Sequence, residues 1–184
     1  MSPLWIIAAI AALIALWLIS TYNRLVRLRN LKDEGWSGID VQLRRRFDLV
    51  PNLVETVKAY ASHEKETLSH VTEARAAVTC AGNDTEARLK AENMLTGTLR
   101  SLFAVSENYP ELKADTSFIQ LQQELSSLEN EIQMSRRYYN GTVRNLNNAV
   151  EVFPALLIAG AFGFTKAPFF EAEEEAKTAP RVAF

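Results

Sequence analysis

The apolar positions Trp36, Ile39, Leu43, Phe47, Val50, Val54, Val57 and Ala61 recur at steps of three and four, the spacing of a helix that buries one face. Pro51 lies inside that stripe without shifting its phase. A helix restarting at Pro51 would need Val50 as its N-cap, and valine has no side-chain oxygen to accept the free N–H groups of a first turn. The pattern predicts one continuous helix, kinked at Pro51, with burial of its long face offsetting a proline cost of about 3 kcal/mol. The stripe goes on less cleanly through Leu68, Val71, Ala74 and Val78. The same helix therefore extends to Thr79 unless Gly35, Gly38 or the polar "SHEKE" at 62–66 breaks it.

"CAGNDT" at 80–85 has the composition of a turn, with Asp84 placed to cap the next helix. That second helix carries Ala91, Leu95, Leu99, Leu102 and Val105 on one face and ends before Pro110, leaving "NYPELKADTS" as a loop. Ser117 and Gln120 have the form of a capping box for a third helix of about 50 Å. Its face reads Phe118, Leu121, Leu125, Leu128, Ile132, Ser135, Tyr139, Val143, Leu146, Val150 and Phe153, with one small polar residue interrupting it. No stretch alternates with the period of two that a half-buried strand would show. The predicted fold class is all-α: an N-terminal transmembrane helix followed by an elongated antiparallel helical bundle with a long Pro-kinked first helix.

The membrane assignment rests on "LWIIAAIAALIALWLIS", uncharged from Leu4 to Ser20. With the next two residues it approaches the roughly 20 needed to cross about 30 Å of hydrocarbon. The lipid-facing positions are Leu4, Trp5, Ile6, Ile7, Ile10, Leu13, Ile14, Leu16, Trp17, Leu18 and Ile19, with Trp5, Trp17 and Tyr22 at the depths that amphipathic rings favour. No basic leader precedes the run and no small-residue cleavage site comes after it, so it reads as a retained anchor and not as a cleaved signal peptide. Arg24, Arg27, Arg29 and Lys32 all lie beyond the run, which by the positive-inside bias puts the N-terminus outside and the bundle in the cytoplasm. These four either attract anionic headgroups or snorkel at the helix end.

The domain reading is an anchor at 1–22, a bundle at 23–165 and an acidic, disordered tail at 166–184, "EAEEEAKTAPRVAF" from Glu171 onward. Before the tail, "VFPALLIAGAFGF" at 152–164 is apolar but too short to span. It reads either as a short fourth helix capping the bundle or as a sticky face, formed by Phe153, Leu156, Leu157, Ile158, Phe162 and Phe164, for self-association or the bilayer surface.

Charge and chemistry narrow the function. A net charge of -2 and a pI near 5.8 lack the broad basic face of a nucleic-acid binder. Arg44, Arg45 and Arg46 point in three directions around a helix, a solvated face with one stem packed at the core edge. Cys80 is the single cysteine, which excludes an internal disulfide and a cysteine-rich zinc site and leaves it a small packing residue. His63 and His70, with Glu66 and Glu73, suggest a metal. However, the two histidines lie about 10 Å apart along a helix and no Glu-x-x-His pair occurs, so the segment reads as a solvated polar face. No nucleophile elbow, phosphate loop or zinc-protease helix is present, and neither catalytic residue nor metal site nor cofactor is expected. "YN" at 22 and again at 139, followed at matching offsets by Val26, Arg27 and Val143, Arg144, marks either a polar layer between helices or a coincidence.

The motifs "YNRLVRLRN" at 22–30, "DVQLRRRFDLVPNLVETVKAYASHEKETL" at 40–68, "ENYPELKAD" at 107–115, "LQQEL" at 121–125, "RRYYN" at 136–140 and "VFP" at 152–154 cover most of the chain in order. On these the chain resembles the LemA family of bacterial membrane proteins. The resemblance implies an N-terminal anchor and a bundle of long antiparallel helices, and it brings no enzymatic activity or catalytic residues. It suggests connections to envelope organisation, to internal-membrane formation in magnetotactic bacteria and to membrane metalloproteases encoded nearby. Gly35 departs from the alanine many relatives carry before the tryptophan, and Ser20-Thr21 stand where other relatives carry a lipoprotein cysteine.

The expected function is a non-enzymatic, single-pass scaffold of the bacterial inner membrane whose partners are the bilayer and further copies of itself. The alternatives are a monomeric adaptor for another membrane protein, such as a metalloprotease, and, least favoured, a metal-dependent enzyme.

Overall fold

The structure, a computed structural model, describes residues 3–82 and 84–170. Every regular element among them is a helix: α1 (Pro3–Tyr60), α2 (Lys65–Ala81), α3 (Thr85–Ser106), α4 (Pro110–Ala114), α5 (Thr116–Glu151) and α6 (Ala155–Ala161). By packing, the chain divides into two compact units. One holds residues 3–38 and Ser135–Phe169, the other Ile39–Met134 and Phe170.

In the second unit the helix does run through Pro51. Proline has no N–H for the carbonyl of Phe47 four residues back, and its ring crowds that carbonyl. The freed oxygen accepts instead from Arg75 Nε of α2, at 3.3 Å. The Arg75 guanidinium also lies over the half-buried Phe47 ring, 3.9 Å from its centroid, so one side chain answers both the lost hydrogen bond and the open face of the ring. The buried positions of this part of α1 are Ile39, Leu43, Arg46, Val50, Leu53 and Val57, with Ala61 buried just past its end. The stripe's period is as read, but Phe47 and Val54 sit at the edge and Arg46 and Leu53 occupy the core.

The helix does not reach Thr79; it ends at Tyr60 and α2 begins at Lys65. Five successive polar residues at 62–66 give a continuing helix no apolar face to bury, and Glu64 N–H turns back to the Ala61 carbonyl. Leu68, Val71, Ala74 and Val78 face the core from α2, while Cys80, expected as a packing residue, is exposed. Gly82, at φ 53°, closes α2, and Asp84 caps α3 by accepting from Glu86 and Ala87 N–H. The loop expected at 108–117 contains α4, with Pro110 in its first turn and Leu112 buried.

Asp115 replaces the Ser117 capping box. Its Oδ1 accepts from Phe118 N–H at 2.9 Å and its Oδ2 from the Tyr60 hydroxyl at 3.0 Å. Those bonds, the Phe118 N–H first, hold the Asp115 carboxyl below its usual pKa. Tyr109 likewise donates to Glu64 Oε1. The core of this unit draws on α1, α2, α3, α4 and the first half of α5.

The first unit pairs the N-terminal part of α1 with the second half of α5. Gly35 is buried where the two approach: a Cβ there would stand 3.3 Å from both Thr142 Oγ1 and Tyr139 Cα. The family's alanine would require those neighbours to give slightly. Nothing approaches Gly38. On α5, beside the interruption at Ser135, Arg136 is buried. The helix ends at Glu151, which leaves Phe153 outside it. Leu25, Leu146, Ala149, Val150, Ile158, Ala159 and Phe164 form the core of this unit.

Residues 166–170 depart from the tail predicted at 166–184. Asn147 of α5 donates from Nδ2 to the Ala167 carbonyl at 3.0 Å and accepts the Ala167 N–H on Oδ1 at 2.9 Å, and Tyr139 donates to the Pro168 carbonyl at 3.0 Å. A stretch whose backbone is bonded by buried side chains is held in place. The remainder of that tail, 171–184, lies outside the described residues.

Candidate membrane-contact site

The positions from Leu4 to Ile19 that the sequence reading assigns to lipid are all exposed, and α1 is the one helix among the described residues long and apolar enough to cross a membrane. A helix apolar on every side that packs on nothing is unstable in water, since burial of its side chains is what would hold it. Trp5 and Trp17 stand at the ends of this stretch.

The four basic residues beyond it differ from one another. Arg24 and Arg27 are exposed and unpaired among the described residues. Arg29 lies over the Phe164 ring, 5.3 Å from its centroid, and Lys32 pairs with Asp33 at 2.6 Å. Tyr22 packs against Phe162 and Phe164, with centroids at 4.9 and 5.9 Å, whereas Tyr139 packs against Trp36 at 5.7 Å. The two "YN" sites thus serve different contacts.

The apolar set at 152–164 divides. Phe153 (74% exposed), Leu156, Leu157 and Phe162 are open to the surroundings, while Ile158 (4%) and Phe164 are core residues. Ile158 and Phe164 therefore cannot form part of a contact face; they hold α6 to the chain.

Tyr139 is buried and burial, then the Asp33 carboxylate, pushes its phenol up to about 12 from 10.0. The folded chain keeps a proton that the unfolded chain loses, so this contribution is whole below pH 10 and drains away as pH rises through 12. Tyr139→Phe is expected to lose stability less steeply than the parent over that window, by about 2 kcal/mol at its top. Denaturation midpoints measured across the alkaline range check this; parallel curves would refute it.

The feature that sequence reasoning missed is Arg46. It is 1% exposed, and its whole guanidinium, not merely its stem, lies inside the second unit. Nη2 donates to Glu92 Oε2 at 2.6 Å and to the Glu92 carbonyl at 3.2 Å; Nη1 donates to Thr96 Oγ1 at 2.7 Å and Glu129 Oε2 at 3.0 Å. Arg44 and Arg45 remain exposed, Arg45 reaching Gln42 and Glu131. Burial and these four hydrogen bonds tie Arg46 of α1 to α3 and α5 and leave its two Nη atoms engaged, not free for chemistry. His63 and His70 are exposed, and among the described residues no three His, Cys, Asp or Glu side chains converge on a point.

Comparison with known proteins gives the chain's relatives. The sequence pattern of the LemA family matches residues 35–184. Protein LemA of Metamycoplasma hominis is 26% identical over 152 residues, 83% of this chain and 69% of that protein. Magnetosome protein MamQ 2 of Paramagnetospirillum magneticum is 24% identical over 92% of this chain and 70% of its own length. Magnetosome protein MamQ of Magnetospirillum gryphiswaldense is 23% identical over 91% of this chain and 72% of its own.

Proposed function

Because the chain belongs to the LemA family, we propose that it is a non-enzymatic helical scaffold, anchored in a bacterial inner membrane, whose copies associate with one another. The observation that carries the reading is the uncovered apolar length of α1. It lies before the matched family region, so the anchor is argued from its own residues. Water would not tolerate that surface, and hydrocarbon requires it.

Support for self-association comes from Leu156, Leu157 and Phe162, exposed on and beside a helix whose other side is fixed in the core through Ile158 and Ala159. Confinement to a membrane raises the local concentration at which such a modest face pairs. The positive charges at Arg24, Arg27, Arg29 and Lys32 favour a cytoplasmic bundle. The magnetosome proteins among the relatives support a role in membrane organisation.

The full chain in mild detergent, weighed intact by native mass analysis over a range of concentrations, is expected to form oligomers that Leu157→Glu disperses. Monomers at every concentration would overturn self-association and favour an adaptor for another membrane protein.

A further inference from the structure

A groove of about 480 Å³ opens beside the end of the apolar length of α1. Trp17, Thr21, Arg24 and Leu28, at steps of four, three and four, form one wall. Asn145, Asn148 and Phe153, from the end of α5 and the turn into α6, face them within the same unit. Arg24, Asn145 and Asn148 are exposed, and none spends its side chain on a hydrogen bond or ion pair among the described residues. No carboxylate lines the groove, so its formal charge is a single positive one.

We propose that this groove binds one anionic glycerophospholipid, Arg24 taking the phosphate and the two asparagine amides taking phosphate oxygens and headgroup hydroxyls. The inference rests on the reading of α1 as membrane-spanning and adds a specific ligand to it. Two arguments favour a lipid over a soluble phosphate. Trp17 and Phe153 give the groove apolar walls, and the exposed Leu13 lies one turn before Trp17 on the same face of α1, where acyl chains would lie. Arg24 stands about 10 Å beyond Trp17 along the helix, a spacing suited to a charged headgroup above its own chains.

Two more arguments favour an anionic lipid. An ammonium headgroup would find no carboxylate in the groove, and the single guanidinium balances one phosphodiester charge. The site also differs from general attraction to a charged surface. Arg27 lies outside the groove lining, and Arg29 and Lys32 are engaged with Phe164 and Asp33.

The test uses the full chain in mild detergent with phosphatidylglycerol or phosphatidylcholine added, and native mass analysis to count bound lipids. One phosphatidylglycerol per chain should be retained, about tenfold more firmly than in the R24Q/N148A variant, with R27Q indistinguishable from the parent. These side chains are exposed and unpartnered, so the variants should keep the parent's helical circular dichroism. Equal retention by parent and R24Q/N148A, or equal retention of the two lipids, would overturn the site. So would displacement of the lipid by glycerol phosphate at comparable concentration, which would mark a soluble-anion pocket. Carbonate extraction of membranes separates the two readings. A chain that carbonate strips away loses both span and site, and one that stays embedded without lipid preference loses the site alone.

Discussion

Arg46→Ala is expected to destabilise the bundle by about 3–5 kcal/mol, because it breaks a buried ion pair with the Glu92 carboxylate by removing one partner. The 2.6 Å contact lies between side chains each 1% exposed, so water cannot screen or replace it. Arg45→Ala, one residue away, removes an exposed pair with Glu131 and should cost less than about 1 kcal/mol. Replacing the pair together, as R46M/E92L, should recover most of the loss by substituting apolar packing for two compensated charges. Denaturant unfolding of the four chains at neutral pH measures this. A loss no larger than that of Arg45→Ala would show that the cluster does not hold the fold.

The second large effect concerns Pro51. Relative to alanine, proline in a helix interior costs about 3 kcal/mol, of which Arg75 returns part by bonding the Phe47 carbonyl. Pro51→Ala should therefore stabilise by about 1–2 kcal/mol, the restored N–H competing with Arg75 and the freer unfolded chain taking back a little more. Arg75→Ala should destabilise the parent by about 2 kcal/mol, from a carbonyl left bare and a cation lifted off the Phe47 ring. In the Pro51→Ala background the first of those losses disappears, so the double-mutant cycle should show a coupling of about 1 kcal/mol. Strict additivity would mean that the Arg75 bond does not compensate the proline.

These two sites show what a sequence pattern can and cannot reveal. The phase of the α1 stripe survives Pro51 in the linear pattern and in three dimensions alike, because side-chain periodicity reflects helix geometry and not the identity of one residue. The same apolar criterion passed over Arg46 and Arg136: a charge is buried when distant partners surround it, and Glu92 and Glu129 lie 46 and 83 residues away from Arg46. Asp84 was legible as a cap because the N–H groups it accepts from lie two and three residues on. Asp115 was obscured by a Ser117 that fits the same local rule. At 152–164 composition marked a sticky segment, but which side chains turn inward depends on how α6 meets Leu25 and Leu146, and no local spacing records that. The groove beside Arg24 is of the same kind, built from residues more than a hundred positions apart.

Asn147 meets the backbone of Ala167 with a donor and an acceptor at once, so its two amide atoms are not interchangeable. Deamidation would exchange the nitrogen for a second oxygen, keep the bond from the Ala167 N–H and set like against like at the carbonyl. Ageing of the protein at a single atom would then halve the clasp at residue 167, leaving the Ala167 N–H bond and the Tyr139 bond to Pro168 to hold the segment.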